Sequence, residues 1–216
     1  MNFAIIAQQL VSGMGSSLMI FVLTLLFSMP LGLLVAFGRM SKIKPLQAVI
    51  KVFIAILRGT PLMLQLLVVN FAPYYLFRIS LPRWYRFAAI IIGFSINYAA
   101  YFAEIYRSGI ESIPTGQYEA AQLLGYTRVQ TFFKIVLPQV VKIVLPSVTN
   151  EVITLVKDTS LVYSVSYIEM FAVAKQIAAA QTTVVPFFIA GIFYYVFNYV
   201  VAWVMELFEK KLNYYR

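Results

Sequence analysis

The chain has 216 residues, 62% of them hydrophobic and only 12% charged, with a mean hydropathy of +0.84. Soluble domains draw about a quarter of their residues from the charged types, so most of this chain is expected in lipid. It has no cysteine and no histidine, which excludes disulfides, thiolate chemistry and imidazole catalysis. The net charge of +9 lies between apolar stretches, as in the loops of a membrane protein, and argues against a nucleic-acid partner.

A bilayer core of about 30 Å takes roughly 20 apolar residues as helix. The pattern predicts five spans in one all-α membrane domain covering 1–216: about 13–38, 49–77, 87–106, 142–163 and 184–208. The first carries no charge and no Lys or Arg precedes it, so it reads as a retained helix and not a signal peptide. The second is interrupted near its start by Arg58, Gly59, Thr60 and Pro61. Two readings stand here: local unwinding that exposes backbone to a pathway, or a simple kink. Arg58 is expected to snorkel or to meet a helix's carbonyl end. Lys and Arg gather in one set of segments (Arg39, Lys42, Lys44, Lys51; Arg107, Arg128, Lys134, Lys142; Lys210, Lys211, Arg216). The positive-inside rule makes that side cytoplasmic, with the N-terminus outside and the C-terminus inside. Lys175 and the trio Arg78, Arg83 and Arg86 fall on the other side, and the trio is the exception to the rule.

Ionisable groups inside spans are costly and face a partner or a water-filled path. Asn97, Tyr101 and Glu104 fall on one face of the third span, and Glu151, Thr154 and Asp158 on one face of the fourth. Two such stripes facing each other would form an anionic cavity for a cationic substrate group. The bland alternative is internal pairing, for example Glu104 with Arg107 at i+3 or Asp158 with Arg58.

The loop of about 111–138 is unusually polar. Pro114 ends the preceding helix, Thr115 is a candidate N-cap, Glu119 suits a first-turn position, and Gly125 can take a left-handed exit. Local signals alone leave open whether this is a connector or a docking element. The order Glu119-Ala120-Ala121, Gly125, Ile135, Leu137, Pro138 resembles the EAA loop of bacterial ABC importer permeases. Arg58 to Leu62, Ala100 to Ile110 and Leu155 to Leu161 (LVKDTSL) are similar to signature segments of the permeases for polar amino acids (histidine, glutamate, glutamine, arginine and opine type).

The resemblance implies an ABC type I importer permease fold, with five transmembrane helices and a cytoplasmic coupling helix. It implies that Glu119, Ala120, Ala121, Leu124 and Gly125 meet a separate ATPase subunit, present in two copies, while Arg58, Gly59, Thr60 and Pro61 shape the pathway. No phosphate-binding GxxxxGK[ST] loop is present, so ATP and Mg belong to that partner. The chain is expected to be a transport subunit of the bacterial inner membrane and not an enzyme, with no catalytic residue, bound cofactor or metal of its own. A second permease copy (a homodimer by default, a heterodimer otherwise) and an extracytoplasmic amino-acid-binding protein complete the expected assembly. Three carboxylates in the spans point to a basic cargo such as arginine, lysine or histidine. An ion-gradient-driven transporter or channel is the competing reading.

Overall fold

The structure, a computed structural model, describes residues 3–212, so Arg216 lies outside the described residues. All regular elements among them are helical. Helix α1 (Phe3–Arg39) is unbroken despite Pro30 and starts earlier than the uncharged run suggested. It lies along α4 (Tyr85–Glu111) through a seam in which Ser17, Thr24, Ser28, Gly32 and Ala36 are buried. Apolar burial gives little drive between helices in lipid, so close backbone approach and van der Waals contact must hold such a pair. Gly32 shows how close the approach is: a Cβ there would lie 2.7 Å from the Cβ of Phe102 and 3.1 Å from the carbonyl oxygen of Ala99.

The second expected span is two helices, α2 (Lys44–Gly59) and α3 (Leu62–Phe77), bent by 109° at the intervening residues. Pro61 supplies no N–H, and its ring drives the preceding residue out of the helical region; Thr60 is accordingly extended, at φ −121° and ψ 148°. Helix α2 packs Ile54 against Ala36, Ala100 and Ala103, and α3 sets Leu66 where a Cβ on Gly93 would come within 2.9 Å of it.

A short helix, α5 (Thr115–Leu123), follows α4. Thr115 is its first helical residue and not its cap. The cap position falls on Pro114 (φ −58°, ψ 137°), where no side chain bonds the end. From Arg128 to Val165 the chain runs as one long helical stretch: α6 (Arg128–Thr131), a π turn (Phe132–Val136), α7 (Leu137–Asp158) and a 3-10 turn (Thr159–Val165). It therefore begins well before the expected 142. Helices α8 (Met170–Gln181) and α9 (Val185–Leu212) complete the chain. Among the described residues four helical stretches are long and apolar enough to cross a membrane, or five if the bent α2–α3 pair counts as one span.

Glu169, to which sequence reasoning gave no role, knits three helices together. Fully buried, its carboxylate accepts from the backbone N–H of Phe171 and Ala172 at 2.8 Å each, from Ser17 Oγ at 3.2 Å and from the Tyr194 hydroxyl at 2.9 Å. One acid thereby caps α8 and joins it to α1 and α9. Burial raises its carboxyl above the ordinary carboxylate range, against the pull of these bonds.

The α1–α4 seam makes a direct prediction. Gly32→Ala forces a methyl into Phe102 and the Ala99 carbonyl, and overpacking of that kind costs about 1–3 kcal/mol. Gly15→Ala, with open space around the position, is the matched control. Thermal unfolding in detergent should show a lowered midpoint for the first variant and not for the second.

Candidate functional site: a broken helix in the membrane and a cytoplasmic lever

The break between α2 and α3 exposes the last carbonyls of α2, groups that a helix cannot satisfy internally. Side chains take them up. Gln65 donates to the Leu57 carbonyl at 2.9 Å, to the Thr60 carbonyl at 3.1 Å and to Thr60 Oγ1 at 2.8 Å. Asn97, buried on α4, donates to the same Leu57 carbonyl at 3.2 Å and to Gln65 Oε1 at 2.9 Å. Thr60 Oγ1 donates back to the Ile56 carbonyl at 2.8 Å. Arg58, at the end of α2, lies over the Tyr101 ring, its guanidinium carbon 5.2 Å from the centroid, a cation–π distance. Of the two sequence readings the true break is the one realised, and it is braced. Asn97 and Tyr101 both face it: one amide holds α2's end, and one ring seats its arginine.

Beside the break, a cavity of about 390 Å³ lies between α2, α4 and α7, with Arg58, Glu104, Arg107, Ser108 and Ser147 in its wall. Glu104 is engaged within the chain. Arg107 Nη2 is 2.6 Å from its Oε2, Arg107 Nε is 3.2 Å from both carboxylate oxygens, and Arg39 Nε is 4.0 Å away. The i+3 pair is therefore formed, and this cavity has mixed charge. Arg107 also binds Glu111, which makes a short ion-pair row toward the C-terminal end of α4.

The α7 stripe is different. Glu151 is half-buried, and Asp158 accepts the Tyr98 hydroxyl at 2.7 Å. Among the described residues, no Lys or Arg nitrogen lies within 4.0 Å of either carboxylate. Thr154 is exposed, its hydroxyl bonded back to the Asn150 carbonyl at 2.9 Å. Sequence reasoning did not single out Tyr98 or Gln65, which lie off the two charged stripes. As polar groups within apolar spans, they did carry the signal that marks such sites.

Within the polar loop, α5 is a short helix whose exit is shaped by local chemistry. Gly125 adopts φ +78°, a left-handed conformation open to glycine at no steric cost. The N–H of Tyr126 bonds the Ala121 carbonyl at 3.0 Å and that of Gly125 the Gln122 carbonyl at 3.0 Å, the paired bonds of a Schellman end. Thr127 and Gln130 then form a reciprocal capping box that starts α6. Gln117 of α5 and Gln139 of α7 exchange amide hydrogen bonds of 3.0 and 2.6 Å, and Gln139 also donates to the Ile135 carbonyl at 2.7 Å. The residues expected from sequence to couple split by face. Glu119, Ala120 and Leu124 are exposed, Ala121 is turned into the chain at 1% exposure, and Leu123, not singled out from sequence, stands 90% exposed.

Residues 28–214 match the family described as the inner membrane component of binding-protein-dependent transport systems. The chain belongs to that family. It is similar to the L-cystine transport system permease protein TcyB of Bacillus subtilis (35% identity over 90% of this chain and 82% of that one). It is also similar to the arginine transport system permease protein ArtQ of the same organism (31% identity over 94% and 92%). Among solved structures, it superposes on an amino acid ABC transporter with histidines at a TM-score of 0.86 and 30% identity, covering 98% of this chain and 99% of that one. A methionine ABC transporter in an inward-facing state shares the fold, at a TM-score of 0.77 and 18% identity. The chain is thus an all-α inner-membrane permease subunit of the ABC importer type, which sets aside the ion-gradient-driven reading.

The bracing of the permease's broken helix can be tested. Gln65→Leu removes the side-chain donor to the half-buried Leu57 carbonyl and the exposed Thr60 carbonyl, and loss of a typical hydrogen bond costs about 0.5–1.5 kcal/mol. Thermal unfolding should show that loss for Gln65→Leu, while Gln65→Glu, which keeps the shape but reverses the hydrogen-bonding sense, should be no better.

Proposed function

We propose that the permease imports polar amino acids with a basic side chain, arginine, lysine or histidine, using ATP hydrolysed on two copies of a separate cytoplasmic subunit. In this reading two copies of the chain pair around the pathway, and an extracytoplasmic binding protein delivers the cargo. The N-terminus faces outward and the C-terminus the cytoplasm.

One observation carries the choice of cargo. Glu151 and Asp158 occupy one face of α7 within a span and have no cationic partner within 4.0 Å among the described residues. Carboxylates in that setting are expensive unless a positive charge joins them, and a guanidinium, ammonium or imidazolium group on the cargo supplies it. Glu104 takes part by exchange, releasing Arg107 to Glu111 as the cargo's cation arrives. Tyr101 and Thr154 add hydrogen bonds, and Asn97 contributes by holding the break in place. Relatives that transport cystine and arginine share this architecture, so the cargo is argued from the carboxylates and not from kinship.

Coupling follows from the lever. Glu119, Ala120, Leu123 and Leu124 form the face offered to the ATPase; the small alanine admits close approach, and the leucines fill apolar pockets. Gly125 and Ala121 work from behind, by fixing the helix's end and its seat. Closure of the ATPase pair on ATP displaces α5 and rocks the two permease copies between inward and outward states.

The test is uptake of labelled arginine and glutamine into vesicles holding the permease, its ATPase and its binding protein. Arginine uptake should require ATP and the binding protein, and Asp158→Asn should lower it on the order of ten-fold or more, the equivalent of one charged hydrogen bond. Undiminished arginine uptake by Asp158→Asn and by Glu151→Gln would remove the basic cargo. Uptake driven by a sodium or proton gradient without ATP would remove the coupling scheme.

A further inference from the structure

Lys157 precedes Asp158 on α7, and the transport scheme above leaves it without a role. Its depth is fixed by its neighbour. Asp158 accepts the Tyr98 hydroxyl, and Tyr98 stands midway along α4, about 20 Å of helix from either end. Lysine stems carry their charge out to water near helix ends, and Lys157 sits too deep for that. It is exposed on the surface of the chain. Among the described residues, no carboxylate oxygen lies within 4.0 Å of its ammonium.

The face around Lys157 is polar along its length. Ser147, Asn150, Thr154 and Lys157 follow one another at helical spacing and are all exposed, and Glu151 and Asp158 run beside them. Such a face is costly against lipid and calls for a polar partner. Ser147 also lines the cavity beside the α2–α3 break, so the face continues that cavity toward the level of Tyr98. Successive residues on a helix diverge by about 100°. Lys157 and Asp158 therefore present a cation and an anion side by side, and Asp158 is turned to Tyr98.

We propose that Lys157 receives the α-carboxylate of the cargo, which makes α7 a three-point template for a basic amino acid; this rests on the cargo reading above. The charges match group for group. A basic amino acid carries two cationic groups and one carboxylate, and the face carries Lys157 with Glu151 and Asp158. On the cargo, the α-ammonium and the α-carboxylate share one carbon, as Asp158 and Lys157 are neighbours on the helix. The side-chain cation lies at the far end of a flexible stem. Glu151 lies two turns from Asp158 on the same face, about 10 Å of rise. The order along α7 thus seats the cargo's α-carbon at Lys157 and Asp158, and the tip of its side chain at Glu151. Discrimination follows, because a ligand without the carboxylate leaves the ammonium unpaired at low dielectric.

The experiment reads direct binding to the complete permease–ATPase complex in lipid discs. Binding protein is left out, so that its own selectivity does not enter. Labelled arginine is displaced by arginine and by argininamide, which keeps both cations and loses only the carboxylate charge. The unmodified complex should prefer arginine at least about ten-fold, the worth of one charged hydrogen bond. Lys157→Gln should abolish that preference by weakening arginine and not argininamide, with an unchanged unfolding midpoint. Lys157→Arg, which keeps the charge, should retain it. An unchanged preference in Lys157→Gln overturns the proposal. Equal weakening of both ligands overturns it too, because that is the mark of a structural role. The cargo reading is tested separately with labelled glutamine and glutaminamide. If arginine and glutamine bind alike, both to the unmodified complex and to Glu151→Gln, the basic cargo fails alone. The preference for glutamine over glutaminamide, and its loss in Lys157→Gln, then still decides the role of Lys157. If the unmodified complex binds neither amino acid, the α7 face is no cargo site, and the proposal fails with it.

Discussion

The reciprocal amide bonds between Gln117 and Gln139 are the constraint on which the rest of the permease depends. A short helix in a loop would otherwise swing on its two ends and absorb any push. Here one end is closed by the Gly125 turn, and the first turn of α5 is tied to the first turn of α7, whose own Gln139 is further held by the Ile135 carbonyl. The hydrogens of one amide are both engaged, so the joint has little rotational freedom left. In the proposed coupling scheme, what an ATPase does to α5 is thereby done to α7.

In that scheme α7 carries the displacement to Glu151 and Asp158, two carboxylates with no Lys or Arg nitrogen within 4.0 Å among the described residues. Around them the chain has arranged fixed parts. The α1–α4 seam is too close for an added methyl at Gly32, and the α2–α3 break has its carbonyls taken by Gln65 and Asn97. A moving helix against a fixed wall changes which side of a cargo site is open, and that is the mechanical content of alternating access. The ion pair of Glu104 with Arg107 fits the same picture. It keeps an intramembrane acid compensated while no cargo is present.

Much of this was legible in the sequence, and the divide follows the range of the interactions. Spans came from composition, and Gly125's turn from a local backbone need that glycine alone meets without strain. The interruption at Arg58 to Pro61 was visible as punctuation, but its 109° angle depends on what α2 and α3 pack against. Asn97 was noticed as a polar residue in lipid, yet its partner Leu57 lies 40 residues away, and no local pattern connects them. The Gln117–Gln139 tie was invisible for the same reason. A nine-residue helix is too short for periodicity to say which face is inward. Ala121 was thus included and Leu123 passed over without regard to face, and the structure buries the first and exposes the second. Thr115 was read as a cap from its hydroxyl, whereas the proline before it takes that position and leaves the helix end without a side-chain bond.

The central claim is that α5 and α7 move as one body. Spin labels at Leu123→Cys and Ser147→Cys, in a chain that has no cysteine of its own, measure it in the assembled transporter. The α5–α7 distance should stay constant within about 2 Å, the scale of minor helix shifts, between the nucleotide-free and ATP-trapped states, while the distance between the two Ser147→Cys positions in paired permeases changes. A change in the α5–α7 distance with no change between the paired permeases would contradict the account.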